Sequence, residues 1–235
     1  MKNIAVILAG GRGSRAGEGI PKQFRTLKDG RTVFETCVDA FEQNEHIDEI
    51  AVVMLLEYLD QAKAIAIRKG WQKVQYWVDG GHERWESSTN AVNALNARYA
   101  NDKTVSDVNV LIHDCARPFI SQQLITRVCK ALKSYRAVSV ALEATDTIYI
   151  VQSDGRGSVI SEIPPRFTLR AAQTPQAFRL SLLTKAIRHN KQPATPFISD
   201  DAGLVFHELP QQDIYVIEGE PSNRKLTFAE DFPDD

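Results

Sequence analysis

The chain has 235 residues, 43% hydrophobic and 25% charged, and its 28 Lys and Arg against 30 Asp and Glu leave a net charge of −2. That balance belongs to an ordinary globular protein with a sizeable core, and it excludes collagenous, low-complexity and disordered classes together with the broad basic footprint of a nucleic-acid binder. The length suits one domain over residues 1–235, and no apolar run approaches the 18 or so residues of a membrane span, so a cytoplasmic protein without membrane or nucleic-acid partners is expected.

In chain order, five short apolar runs, Ile4–Leu8, Ile50–Met54, Val74–Val78, Val108–Ile112 and Ala137–Leu142, have the length of strands buried on both faces. Helical periods lie between them: Phe34, Cys37, Val38 and Phe41 recur at i, i+3, i+4 and i+7, and Leu124, Ile125, Val128, Ala131 and Leu132 do likewise. Alternating strands and helices imply right-handed βαβ units, hence an α/β fold with a Rossmann-like, mainly parallel sheet and helices on both faces. Ligands of such sheets bind beyond the carboxyl ends of the strands, which directs attention to the segments after Leu8, Val78 and Ile112. After Thr147 the rhythm changes. TIYIVQSDGRGSVISEIPPR reads as two β segments around a Gly-containing turn, a protruding hairpin arm within residues 147–170. A helix is expected over Ser181–His189, another near Ser199-Asp200-Asp201, and a last strand in DIYVIEG. Cys37, Cys115 and Cys129 are odd in number and lack a C-x-x-C pair, which argues against disulfides and structural zinc and suits a reducing compartment.

The loop after the first strand reads AGGRGSRAGEGIPKQF over residues 9–24. Its glycines let backbone N–H groups approach a ligand closely, and Arg12, Arg15 and Lys22 add positive charge, a combination suited to a polyphosphate. Gly11, Gly13 and Ala16 also match G-x-G-x-x-G/A, but Gly17, Gly19 and Pro21 prolong the loop where a dinucleotide fingerprint would begin its helix. The P-loop pattern is absent.

LAGGRGSRAGEGIPKQF resembles the nucleotide-binding loop of the cytidylyltransferases that act on sugar-alcohol phosphates, in particular the 2-C-methyl-D-erythritol 4-phosphate cytidylyltransferase family. DGGHERWESS, HDCARPF, QTPQAF and EGEPSNRKLTFAEDF agree with that family in order, so the resemblance spans nearly the whole chain. It implies a nucleotidyltransferase that moves CMP from CTP to 2-C-methyl-D-erythritol 4-phosphate with release of pyrophosphate. The related ribitol 5-phosphate cytidylyltransferases share L-A-G-G, PKQF, RPF, I-P-x-R and QTPQ, and supply the alternative acceptor. By the same resemblance Ala9, Gly10, Gly11, Gly13, Gly81, His82, Ser87 and Asp114 bind CTP, the base being read by main-chain groups. Arg15, Lys22, Arg166 and Lys225 act in catalysis, and Arg117, Thr147, Arg166, Thr174, Ser199 and Lys225 serve the acceptor. Asp114 holds Mg²⁺, and the arm pairs two subunits, placing Arg166 in the partner's site.

The residues add their own chemistry. A phosphate monoester is already largely anionic at neutral pH, so its attack needs two anions positioned rather than a general base. None of the five histidines stands in an order that suggests covalent catalysis. Asp114 and Arg117 also suit a turn or a local ion pair, Cys115 a packing role, and His113 a structural hydrogen bond. Asp200-Asp201 suit a helix start, with Ser199 as a candidate cap.

Overall fold

A computed structural model describes residues 1–11, 20–100, 107–153, 155, 157–190 and 198–232. Strands β1 (Asn3–Leu8), β2 (Glu49–Met54), β3 (Val74–Asp79), β4 (Asn109–Asp114), β5 (Ala137–Glu143), β8 (Arg170–Arg179) and β9 (Tyr215–Glu218) form one seven-stranded sheet in the order β3-β2-β1-β4-β8-β5-β9. All neighbours run parallel except β8, which is antiparallel to both β4 and β5.

The apolar runs fill both faces by simple alternation. Ile4, Val6, Ala51, Val53, Val110 and Ile112 face one layer, whereas Ala5, Ile7, Val52, Met54 and Leu111 face the other. Helices α1 (Val33–Glu42), α2 (Leu56–Lys69) and α4 (Gln122–Ala131) cover the second face; α3 (Arg84–Tyr99), α5 (Leu180–His189) and α6 (Asp201–Glu208) cover the first. The periodic residues Phe34, Cys37, Val38 and Phe41 are all wholly buried, as a core-facing stripe requires. Helix starts follow their side chains: Thr32 and Glu35 close a capping box on α1, Ser121 caps α4, and Asp200 accepts the Gly203 N–H to cap α6. Ser199 is therefore not the cap, because the carboxylate one residue later reaches the free amide.

One feature departs from the sequence reading. QTPQAF lies within β8, at ten residues the longest strand, which no apolar run announces because Pro175 cannot donate to a ladder. The sheet accommodates it by a register shift: Ser139 faces Gln176 and Val140 faces Gln173, so Thr174 and Pro175 stand out of the pairing. The expected hairpin is present as a separate two-stranded sheet of β6 (Ile150–Ser153) and β7 (Ser158–Glu162), with Gly155 at φ +83° in the turn. Its apolar side chains, among them Tyr149, Val151 and Ile160, are exposed, and Phe167 at its base is 79% exposed.

Candidate active site

Strand order reverses beside β1, and the crevice there is where an open α/β sheet binds ligands. Four strand ends, those of β1 to β4, are tied level: Cys115 N–H donates to Leu8 O, Ala9 N–H to Val53 O and Gly80 N–H to Met54 O, at 2.8–3.0 Å. Above them opens a cleft of about 310 Å³, bounded by Ala9, Gly10 and Gly11 after β1, by Gly81, His82 and Ser87 after β3, by Asp114 and Cys115 at the end of β4, and by Lys22 and Lys225.

Asp114 is its electrostatic centre. Oδ1 accepts from Arg84 Nε at 3.0 Å and Oδ2 from Lys225 Nζ at 2.8 Å. Burial alone would raise the carboxyl pKa, but the two cations outweigh it and hold the group well below the ordinary carboxylate range. Arg84 continues to Asp201 Oδ2 at 2.7 Å, joining the end of β4 to the first turn of α6. Its Nη2 is buried without a hydrogen-bond partner among the described residues.

The segment after β9 folds over the cleft as a strap. Leu226 N–H donates to Ala116 O, and Leu226 O accepts from Lys22 Nζ at 2.8 Å, so the strap carries Lys225 and, through the next residue, also seats Lys22. Arg117 fastens the strap from beneath: Nη1 donates to Asn223 O at 2.9 Å and Nη2 to Ala172 O at 3.3 Å. The alternatives left open for Asp114 and Arg117 thus resolve into a turn, with Arg117 N–H donating to Asp114 O at 2.9 Å, while the carboxylate takes Arg84 and Lys225 instead of the nearer arginine.

Thr174, displaced from the ladder, accepts the Asp114 N–H on Oγ1 at 3.1 Å and lies 3.1 Å from His113 Nδ1. His113 Nε2 lies 3.0 Å from Arg117 O, an acceptor only, so Nε2 carries the proton and the Thr174 hydroxyl donates to Nδ1. Burial pushes this imidazole down to about 4, which keeps it neutral at physiological pH. It holds structure, as its sequence position suggested.

The family model described as 2-C-methyl-D-erythritol 4-phosphate cytidylyltransferase matches residues 3–234. The chain belongs to that family. A cytidylyltransferase of this name from Thermobifida fusca is 37% identical over 228 residues, covering 97% of this chain and 89% of the relative. A bifunctional ribulose 5-phosphate reductase/CDP-ribitol pyrophosphorylase from Haemophilus influenzae is 36% identical over 226 residues, 96% of this chain and 46% of that protein. Among solved structures, the 4-diphosphocytidyl-2C-methyl-D-erythritol synthase of Anaerococcus prevotii superposes with a TM-score of 0.80 at 30% identity, covering 98% of this chain and 92% of that one.

Of the residues that the cytidylyltransferase family points to, Ala9, Gly10, Gly11, Lys22, Gly81, His82, Ser87, Asp114 and Lys225 meet in one cleft. Gly13 and Arg15, with Arg12 beside them, lie outside the described residues. Thr174 does not border the cleft; it supports the site by accepting from the Asp114 N–H and, on its carbonyl, from Asn223 Nδ2 of the strap at 2.7 Å. Ser199 lines a separate cavity of about 130 Å³ on the far side of Arg84. Thr147 and Arg166 sit at the base of the hairpin, where Arg166 Nη1 donates to Thr145 O at 3.2 Å, and neither borders the cleft. Arg84 is the cleft residue that the reading of DGGHERWESS did not single out, because an arginine among acidic neighbours at a helix start looks solvated.

Proposed function

We propose that this chain transfers CMP from CTP to 2-C-methyl-D-erythritol 4-phosphate and releases pyrophosphate, a step of non-mevalonate isoprenoid precursor synthesis. The observation that carries the reading is the cleft itself, in which glycine backbone, Lys22, Lys225 and a doubly paired Asp114 converge at the sheet crevice. The acceptor phosphate oxygen bonds to the α-phosphorus of CTP while the bond to the β-phosphate oxygen breaks, and the electron pair leaves with pyrophosphate. Lys22 and Lys225 bring the two anions together and offset their repulsion. With the acceptor already ionised, no proton has to be removed by the protein, which agrees with a buried, neutral His113.

Among the described residues no three His, Cys, Asp or Glu side chains gather as a metal cage. Asp114 alone fits Mg²⁺ of the kind that keeps one protein carboxylate and takes its other ligands from substrate phosphates and water. Bound there with CTP, it would neutralise phosphate charge. Arg84 would meanwhile hold the carboxylate in place.

The second reading, transfer to ribitol 5-phosphate to make CDP-ribitol for cell-surface polymers, is favoured by the likeness to the Haemophilus influenzae protein. Pyrophosphate release from CTP with a panel of sugar-alcohol phosphates separates the two. Turnover is expected with the methylerythritol phosphate; turnover with ribitol 5-phosphate alone moves the assignment to the second reading, and turnover with neither removes both.

The apolar hairpin supports a homodimer built through the arm, since an isolated two-stranded ribbon is marginal and Arg166 needs a second copy to reach a cleft. Sedimentation at micromolar concentration is expected to give a dimer, and Ile160→Asp a monomer. A wild-type monomer contradicts this assembly. No helix among the described residues is long and apolar enough to cross a membrane, and all three cysteines are free and buried, which supports the cytoplasmic reading.

A further inference from the structure

The strap after β9 is held at its root by a side chain from the irregular stretch of β8. Gln173 Nε2 donates to Glu220 O at 3.0 Å and its Oε1 accepts the Glu220 N–H at 3.2 Å, so one side-chain amide stands in for a neighbouring strand. Gly219 makes room for it: a Cβ there would lie 2.4 Å from Gln173 Oε1. From α4, Arg127 donates to Glu218 O and to Glu220 Oε1, each at 2.8 Å.

Asn223 carries this anchoring forward to Lys225. Its side chain is wholly buried; Nδ2 donates to Thr174 O at 2.7 Å and to Gln173 Oε1 at 3.3 Å, while its carbonyl accepts from Arg117 Nη1 at 2.9 Å. Three residues on, Leu226 N–H is pinned to Ala116 O. Lys225 therefore leaves the chain between two fixed points. The Thr174 whose carbonyl receives Asn223 also holds the Asp114 N–H on its hydroxyl, so a single residue sets the spacing between the two halves of the Lys225–Asp114 pair.

Asn223 does this with its donors alone. Its Oδ1 is buried without a hydrogen-bond partner among the described residues, and an idle buried acceptor is a cost that an apolar side chain of similar size would avoid. Packing does not account for an asparagine here. The donated bonds do.

We propose that Asn223 is a positioning residue for the transfer reaction, locking the strap to the irregular stretch of β8 so that Lys225 stays aimed into the cleft beside Asp114. The proposal rests on the cytidylyl-transfer reading, in which Lys225 offsets the repulsion between two anions. Without the side-chain donors the strap keeps its attachment at Leu226, but the lysine between gains freedom, and misplacing such a group by about 1 Å can cost on the order of 10²-fold in rate.

The test is a double-mutant cycle on kcat/KM with CTP and the accepted polyol phosphate, in wild type, Asn223→Ala, Lys225→Ala and the double variant, each checked for folding by its denaturation midpoint. Asn223→Ala is expected to lower kcat/KM at least tenfold. In the Lys225→Ala background the same change is expected to cost less than threefold, because the group it positions is gone. An asparagine that only stabilised the fold would give the same loss in both backgrounds. Where Asn223→Ala does not fold, Gly219→Ala loosens the same anchor by pushing Gln173 aside and is read in the same cycle. Equal losses in both backgrounds, or activity within threefold of wild type in a folded anchor variant while Lys225→Ala is impaired, overturn the positioning role and leave cytidylyl transfer intact. A wild-type protein that turns over CTP with no sugar-alcohol phosphate overturns both.

Discussion

Replacing Arg84 with leucine is expected to cost about 3–5 kcal/mol of stability, read as a lower denaturation midpoint at unchanged slope. The guanidinium lies between two carboxylates that are only 7% (Asp114) and 4% (Asp201) exposed. Asp114 would keep Lys225, but Asp201 has no second side-chain partner among the described residues and would rely on the start of α6 alone. The leftover buried charge, more than the lost attraction, carries the cost. Adding Asp201→Asn to Arg84→Leu should therefore recover about 1–3 kcal/mol, because the unpaired charge is removed with its partner. Wild-type stability in the single variant, or a strictly additive double variant, contradicts this account.

Lys225→Ala is expected to act the other way, sparing the fold and removing the chemistry. Its ammonium is partly exposed, and Asp114 retains Arg84, so the change in stability should stay near 1 kcal/mol. Turnover is expected to suffer far more. A cation aimed at charge that develops on phosphate in a water-poor cleft typically contributes 10²–10³-fold, and kcat/KM with CTP and the accepted polyol phosphate should drop by about that factor. Activity within threefold of wild type in the folded variant would remove Lys225 from the mechanism.

The sequence was most informative where one physical rule dominated. Strands buried within a covered sheet must be short apolar runs, so β1, β2, β4 and β5 could be read to within two residues at either end, and the partly buried edge strand β3 was legible as well. The glycine loop and the strap were legible as motifs, and Lys22, Asp114 and Lys225 do meet although the last two are 111 residues apart. β8 was hidden because Pro175 breaks the strand period, and its displaced Thr174 is what reaches Asp114. Arg84 was hidden for a different reason: its partner Asp201 is 117 residues away, and no local pattern encodes a buried ion pair across that distance. Asn223 lay in plain sight two residues before Lys225, in a Pro-Ser-Asn stretch where an asparagine is ordinary turn chemistry.

The antiparallel insertion of β8 between β4 and β5 also fixes an order of assembly. As the chain leaves the ribosome, β1 to β4 can pair among themselves, but β5 has no edge to join until residues 170–179 arrive and turn back beside β4. The strap comes later still. A nascent chain therefore has a partly formed sheet well before it has Lys225, and the cleft that Lys225 and Asp114 share is finished last, when long-range pairing has already closed the framework around it.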